Sequence, residues 1–235
     1  MKLQDSVALV TGSNRGLGRA LVRALLDAGA RRVYATARDP KSVETGERIV
    51  PLALDVTDAA SIEAASVRAE GVNLVVNNAG SLASFGLLAA KPEELAHDLR
   101  VNFTGPLLVA RAFAPKIEAN GGGAIANVLS VVSLGSMPAL GGYSASKAAA
   151  FSLTQALAAE LTPRKIAVHA VFPGPIDTDM IRSFEMQKTS AADVARAIVK
   201  GIAAGDAHIA PDPMSAEVYA AWARDPRAAA AKLAG

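Results

Sequence analysis

Residues Val7 to Gly29 read VALVTGSNRGLGRALVRALLDAG, and this stretch decides the fold. Val7 to Thr11 is a short apolar run of the kind that forms a buried strand. RALVRALLDAG has its apolar residues at helical spacing and closes on Gly29. Between them lies TGSNRGLG. Gly12, Gly16 and Gly18 allow positive φ and close backbone approach, so the turn that carries Ser13, Asn14, Arg15 and Leu17 can present the free N–H groups of a helix N-terminus to an anion. A glycine pattern alone marks only a tight bend. Flanked by a buried strand and an amphipathic helix, it reads as the pyrophosphate site of a dinucleotide-binding unit.

Outward from this unit the same rhythm repeats. The strand RVYATA ends at Ala37, near the position where an acid would hold the 2′-hydroxyl of an adenosine ribose, and alanine does not do that. Arg38 follows and Arg15 lies in the glycine turn, so two guanidinium groups converge on a 2′-phosphate and favour NADP(H). Asp39, one residue further on, would instead suit NAD(H). Ile49 to Leu54 is a third strand, and Asp55-Val56-Thr57-Asp58 leads into the helix DAASIEAASVRA with Thr57 or Asp58 as N-cap. Asp55 either meets the adenine amino group or caps its own helix. Val72 to Val76 is a fourth strand, running into Asn77-Asn78-Ala79-Gly80. Alternating strands and helices imply a parallel sheet with right-handed crossovers, whose ligands bind beyond the C-terminal strand ends.

Lys91 to Asn120 reads as one long helix with Pro92 in its first turn, Glu93 and Glu94 near its positive end, and Leu95, Leu99, Phe103, Leu107 and Ala110 at helical spacing. Pro106 falls inside it and supplies no N–H to the residue four back, Asn102. The spacing predicts a kink that leaves the Asn102 main-chain carbonyl free to hold a water, or else an ordinary proline bend.

AIANVLS is the fifth strand and brings in Ser130 to Lys147, SVVSLGSMPALGGYSASK. Tyr143 and Lys147, four apart, share one helix face. A lysine beside a phenol lowers its pKa from about 10, so Tyr143 becomes able to exchange a proton with a substrate oxygen that Ser130 also reaches. The helix that follows has small residues at Ala145, Ala148, Ala149 and Ser152, which suit core packing or a subunit interface. Ile166 to Phe172 is a sixth strand ending in PGPIDTDM, an irregular turn with its backbone open to a ligand. Ser190 caps the helix from Ala191. Residues 206–235 offer a short strand near His208 and alanine-rich helix, to which the sequence assigns no chemistry.

Hydrophobic residues make up 51% of the 235, and charged residues 20%, which suits one domain with a core on both faces of a sheet. The formal charge is +2 with no basic block, so nothing proposes nucleic acid. The chain contains no cysteine, which removes disulfides and thiolate chemistry, and His97, His169 and His208 form no paired metal-ligand motif. No run approaches 18 apolar residues, and the reading is of a soluble, cytoplasmic protein without a membrane partner.

Taken together these motifs resemble the short-chain dehydrogenase/reductase family over about residues 6 to 200. The resemblance rests on TGxxxGxG at Thr11 to Gly18, Asp55-Val56, NNAG at Asn77 to Gly80, Asn102, Ser130 with YxxxK at Tyr143 and Lys147, and Pro173-Gly174. It implies a single-domain, Rossmann-like, doubly wound parallel sheet of about seven strands with helices on both faces. The dinucleotide half would span about residues 1–120 and the catalytic half about 121–235. It also implies roles. Tyr143 is the general acid in reduction, Lys147 binds the nicotinamide ribose and lowers the Tyr143 pKa, Ser130 polarises the carbonyl, and Asn102 holds a proton-relay water. Asp55 and Val56 contact adenine, Asn78, Ala79 and Gly80 the adenosine side, and Ile176 and Thr178, with Pro173 and Gly174, the carboxamide side. Ser133 is a rival hydroxyl, but family spacing favours Ser130.

The expected reaction is NADPH-dependent reduction of an apolar ketone or aldehyde, reversible, with an NAD-dependent secondary-alcohol dehydrogenase or a non-catalytic NADP(H)-binding regulator as alternatives. Leu82, Phe85, Leu134, Met137, Met180 and Phe184 form the expected substrate wall, or else belong to the core. The short segment from Met180 to Ser190 predicts a small lid and an open site. The family's usual glycine-rich ending is replaced by PDPMSAEVYAAWARDP, so a homodimer through the helices of Asn102 and Tyr143 is expected ahead of a homotetramer.

Overall fold

A computed structural model describes residues 1–234. In chain order the elements are β1 (Val7–Val10), α1 (Gly16–Asp27), β2 (Arg32–Ala37), β3 (Ile49–Ala53), α2 (Ala59–Arg68), β4 (Leu74–Asn77), α3 (Pro92–Leu99), α4 (Gly105–Ala119), β5 (Gly123–Val128), α5 (Gly141–Leu161), β6 (Ile166–Val171), β7 (Ile176–Asp177), β8 (Thr189–Ser190), α6 (Ala191–Ala204), β9 (His208–Ile209), α7 (Pro213–Arg224) and α8 (Pro226–Ala234). Seven strands form one parallel sheet in the order β3-β2-β1-β4-β5-β6-β9. The order reverses between β1 and β4, which opens a crevice at their C-terminal ends.

Period-two alternation divides the core between the two faces. Ala8 and Val10 pack under α1 and α6 with Leu21, Leu25, Ile198 and Ile202. Val7 and Leu9 face α2, α4 and α5 with Ile62, Phe113, Ile117 and Leu157. Phe113 and Ile117 are fully buried, and each such side chain contributes about 1.5–3 kcal/mol. A third cluster joins Leu129, Val132 and Leu134, beyond β5, to Val218, Ala221, Ala229 and Leu233 of α7 and α8. A polar chain also crosses the layers: Asn77 donates to Asn127 at 2.8 Å, and Asn127 to Thr154 of α5 at 3.0 Å.

The long helix expected from Lys91 to Asn120 is interrupted. Between α3 and α4 the backbone widens into a π-helical turn over Arg100–Thr104, immediately before Pro106. The missing N–H of Pro106 breaks the regular ladder at the residue where a kink was expected. The apolar stripe also differs. Ala110 is buried as expected, but Leu99 is exposed while Val101, Asn102, Val109, Phe113 and Ile117 are buried, because the π turn rotates the buried face relative to uninterrupted helical spacing. Asp58 is the N-cap of α2, accepting from the Ala60 N–H, and Ser190 caps α6 through the Asp193 N–H.

Candidate active site

A cavity of about 900 Å³ lies along the C-terminal strand ends, from Arg38 and Asp55 at one end to Met180, Phe184 and Met214 at the other. That volume suits a dinucleotide with a small substrate beside it.

The glycine turn forms one wall. Gly12 and Gly16 have φ of +65° and +52°. Gly18 does not adopt positive φ and is required for space, since a Cβ there would lie 2.1 Å from the Gly12 carbonyl oxygen. Asn78 fastens this turn by donating to the carbonyls of Thr11 and Gly12, while the Thr11 hydroxyl accepts from the N–H groups of Asn78 and Ala79. Asn14, Arg15, Leu17, Val56, Ala79 and Gly80 line the cavity as expected. Ser13 does not. It is buried, and its hydroxyl bridges β1 and β2 by donating to Val10 and accepting from Thr36.

At the adenosine end, Arg15 and Arg38 both line the cavity. Asp39 does too, but its carboxylate accepts from the Lys41 N–H in its own turn. Asp55 likewise closes its own turn, accepting from the Thr57 N–H and hydroxyl, and these bonds hold its carboxyl below the usual range. It borders the cavity, and the cap of the helix that follows is Asp58 rather than Asp55.

Ser130, Tyr143 and Lys147 come together at the centre. Ser130 leaves β5 in extended conformation and caps a short 3-10 turn, with Ser133 bonding back to its N–H. Ser130 borders the cavity and Ser133 does not. The Lys147 ammonium donates to the Val128 carbonyl at 2.9 Å and lies 5.7 Å from the Tyr143 ring centre. The expected lowering of the phenol pKa is not what the geometry gives. Burial pushes Tyr143 upward, against the Ser130 hydroxyl, which draws it down, and the Asp98 carboxylate adds to the rise. Burial lowers Lys147 to about 8, opposed by the same Asp98 charge. Tyr143 is only half-buried and opens on the cavity, so water there softens the upward push.

Asn102 is buried, and both hydrogens of its side-chain amide are engaged. It accepts from the Ser81 N–H and donates to the Ser81 carbonyl and the Ser146 hydroxyl. Its main-chain carbonyl is deprived by Pro106 of the regular helical partner, which leaves it able to accept from a water.

Two acids escaped the sequence reading. Asp98, on α3, is fully buried and accepts from the Ala83 N–H, the Ser84 N–H and the Ser84 hydroxyl, fixing the loop beyond β4. Ser84 in turn packs against Gly142, next to Tyr143. The signal was its position four residues before Asn102, on the same helical face. The other is Asp212, buried at the N-terminus of α7, whose DPMS sequence is a capping box.

Of the expected substrate wall, Leu82, Met137, Met180 and Phe184 line the cavity, joined by Met186 and Met214. Phe85 is half exposed outside it and stacks on Phe184 at 6.3 Å. Leu134 is buried in the cluster beneath α7 and α8, because its 3-10 turn points it away from the cavity. Pro173, Gly174, Ile176 and Thr178 form the far rim. His97 also borders the cavity, whereas His169 is buried against the Asp206 carbonyl and His208 bonds Tyr219. No helix among the described residues is long and apolar enough to cross a membrane.

Comparison with known proteins agrees with this architecture. The short chain dehydrogenase family profile matches residues 6–189. The chain is 38% identical over 198 residues to the short chain dehydrogenase tazN of Aspergillus terreus, covering 77% of this chain and 43% of that one. It is 33% identical over 200 residues to the 3-oxoacyl-[acyl-carrier-protein] reductase FabG of Vibrio cholerae, covering 81% and 82%. The chain thus spans less than half the length of the fungal relative but most of the bacterial one. A short chain dehydrogenase from Burkholderia cenocepacia J2315, solved in complex with NADP, superposes with a TM-score of 0.94 at 38% identity, covering 99% of both chains. Fold, motif order and these likenesses converge: the chain belongs to the short-chain dehydrogenase/reductase family of nicotinamide-dependent oxidoreductases.

Proposed function

We propose that the chain is an NADP(H)-dependent carbonyl reductase that also runs as a secondary-alcohol dehydrogenase. The observation that carries this reading is one cavity joining the glycine turn to Ser130, Tyr143 and Lys147. The cavity fits the cofactor, with the turn at Gly12 to Gly18 for the pyrophosphate, Arg15 and Arg38 for a 2′-phosphate, and Lys147 for the nicotinamide ribose. The nicotinamide, when bound, supplies or accepts the hydride. Tyr143 gives its proton to the carbonyl oxygen, the Ser130 hydroxyl donates to the same oxygen, and Lys147 stabilises the phenolate left behind. Proton return runs through Lys147 and a water on the Asn102 main-chain carbonyl.

Arg15 and Arg38, with the Asp39 carboxylate engaged in its own turn, support NADP(H) over NAD(H). The NADP-bound Burkholderia relative supports the same preference. The substrate end is walled by Leu82, Met137, Leu140, Met180, Phe184 and Met186, which suits an apolar ketone or aldehyde. This wall presents no arginine or lysine to a substrate carboxylate.

The test is oxidation of NADPH and of NADH by the purified protein against aryl ketones, aldehydes and cyclic diketones. Turnover with NADPH at a kcat/KM at least about tenfold above NADH supports the proposal. Tight NADPH binding with no turnover on any member would favour the regulator.

A further inference from the structure

The segment from Asp206 onward, which the sequence left without chemistry, reaches the rim of the active site through one side chain. Strands β6 and β9 run parallel in the register Ala170↔His208 and Val171↔Ile209. They therefore leave the sheet side by side, and three residues beyond each lie Gly174 and Asp212. The Asp212 carboxylate accepts the Gly174 N–H through Oδ2 at 2.8 Å and the Ser215 N–H through Oδ1 at 2.9 Å, and the residue is only 6% exposed.

The turn Pro173-Gly174-Pro175 has a single N–H, because its two prolines have none. Asp212 takes that donor. The flanking carbonyls are held from two other elements, Pro173 by the Val131 N–H at 3.0 Å and Pro175 by the Thr189 N–H at 2.9 Å. Asp212 also accounts for the glycine: a Cβ at position 174 would lie 2.7 Å from Asp212 Oδ1. Two residues on, Met214 lines the substrate end of the cavity.

We propose that Asp212 is a positioning residue for the reaction, fixing the Pro173–Pro175 turn against which the nicotinamide end of the cofactor docks. This rests on the NADP(H) reading above. The carboxylate serves two clients, the turn and the N-terminus of α7, and the two are separable. Ser215→Ala removes the hydroxyl that accepts the Asp212 N–H, weakening the helix cap while leaving the bond to Gly174.

The experiment compares wild type, Asp212→Ala, Asp212→Asn and Ser215→Ala by three readouts: thermal unfolding, amide hydrogen exchange at Gly174 without cofactor, and NADPH titration. Asp212→Ala is expected to speed Gly174 exchange at least about tenfold and to weaken NADPH binding about tenfold, one charge-assisted bond's worth. Ser215→Ala is expected to lower Tm while leaving exchange and NADPH affinity within about twofold. Asp212→Asn keeps the volume and one acceptor, so it falls between, and it carries the test should the alanine variant not fold. Unchanged Gly174 exchange in the Asp212 variants, or equal losses of NADPH affinity in Ser215→Ala, would overturn the inference. Failure of wild type to bind NADPH would instead contradict the proposed function, and Gly174 exchange would still decide whether Asp212 holds the turn.

Discussion

The turn leaving β1 and the turn leaving β6 both line the cavity, and a Cβ at Gly16 of the first would lie 3.1 Å from Thr178 beyond the second. They are built in opposite ways. The first carries most of its requirements in its own eight residues: positive φ at Gly12 and Gly16, and bare backbone at Gly18 where it crosses Gly12. The second is assembled from outside, with Val131, Thr189 and Asp212 each contributing one bond. A locally built turn is written as a motif, and an assembled turn is written as scattered residues whose meaning depends on strand register.

The comparison is sharpened most by the other assembled feature, the loop beyond β4. Asp98→Ala leaves the N–H groups of Ala83 and Ser84 without their buried acceptor, and a loss of about 3–5 kcal/mol is expected in urea unfolding. Asp98→Asn retains an acceptor oxygen and should lose less. Next comes the local turn. Gly18→Ala puts a methyl against the Gly12 carbonyl, a backbone atom that does not yield, and NADPH affinity should fall about 100-fold by fluorescence titration. If Gly18→Ala were mild while Asp212→Ala abolished binding, the contrast between the turns would be reversed.

A smaller effect is expected at the adenosine end. Arg38→Asp replaces a phosphate partner by a ribose acceptor, and the ratio of NADPH to NADH kcat/KM should drop about 10- to 100-fold. The smallest concerns pH. Lys147 has its folded pKa lowered to about 8 from 10.5, so between these values the unfolded chain binds more protons. The stability owed to this group therefore rises with pH across that window, by of order 1–2 kcal/mol from pH 8 to about 10. Unfolding measured over that range, in wild type and Lys147→Met, should show the slope diminished in the variant.

Much of this molecule was legible because parallel sheets write themselves as buried apolar runs closed by turn motifs. The parallel seven-stranded sheet, the N-caps at Asp58 and Ser190, and the gathering of Ser130, Tyr143 and Lys147 around one cavity follow from such local signals. What sequence spacing missed depends on tertiary context. Leu134 reads as a wall residue until α7 and α8 are seen to cover it, and Ser13 reads as a phosphate contact until Thr36 is seen to hold it. The Tyr143 pKa was misjudged for a similar reason. Adjacency to Lys147 is visible in YSASK, but the desolvation of the phenol and the nearby Asp98 carboxylate, which both push it upward, are not.

The central claim is that Tyr143 delivers the proton while the rest of the cavity holds the cofactor. Its most direct test is single-turnover NADPH oxidation with a reactive ketone in wild type and Tyr143→Phe, alongside NADPH affinity in both. The account predicts a rate loss of about 10²–10⁴-fold with affinity unchanged within about threefold. A Tyr143→Phe enzyme that turns over within about threefold of wild type would contradict it.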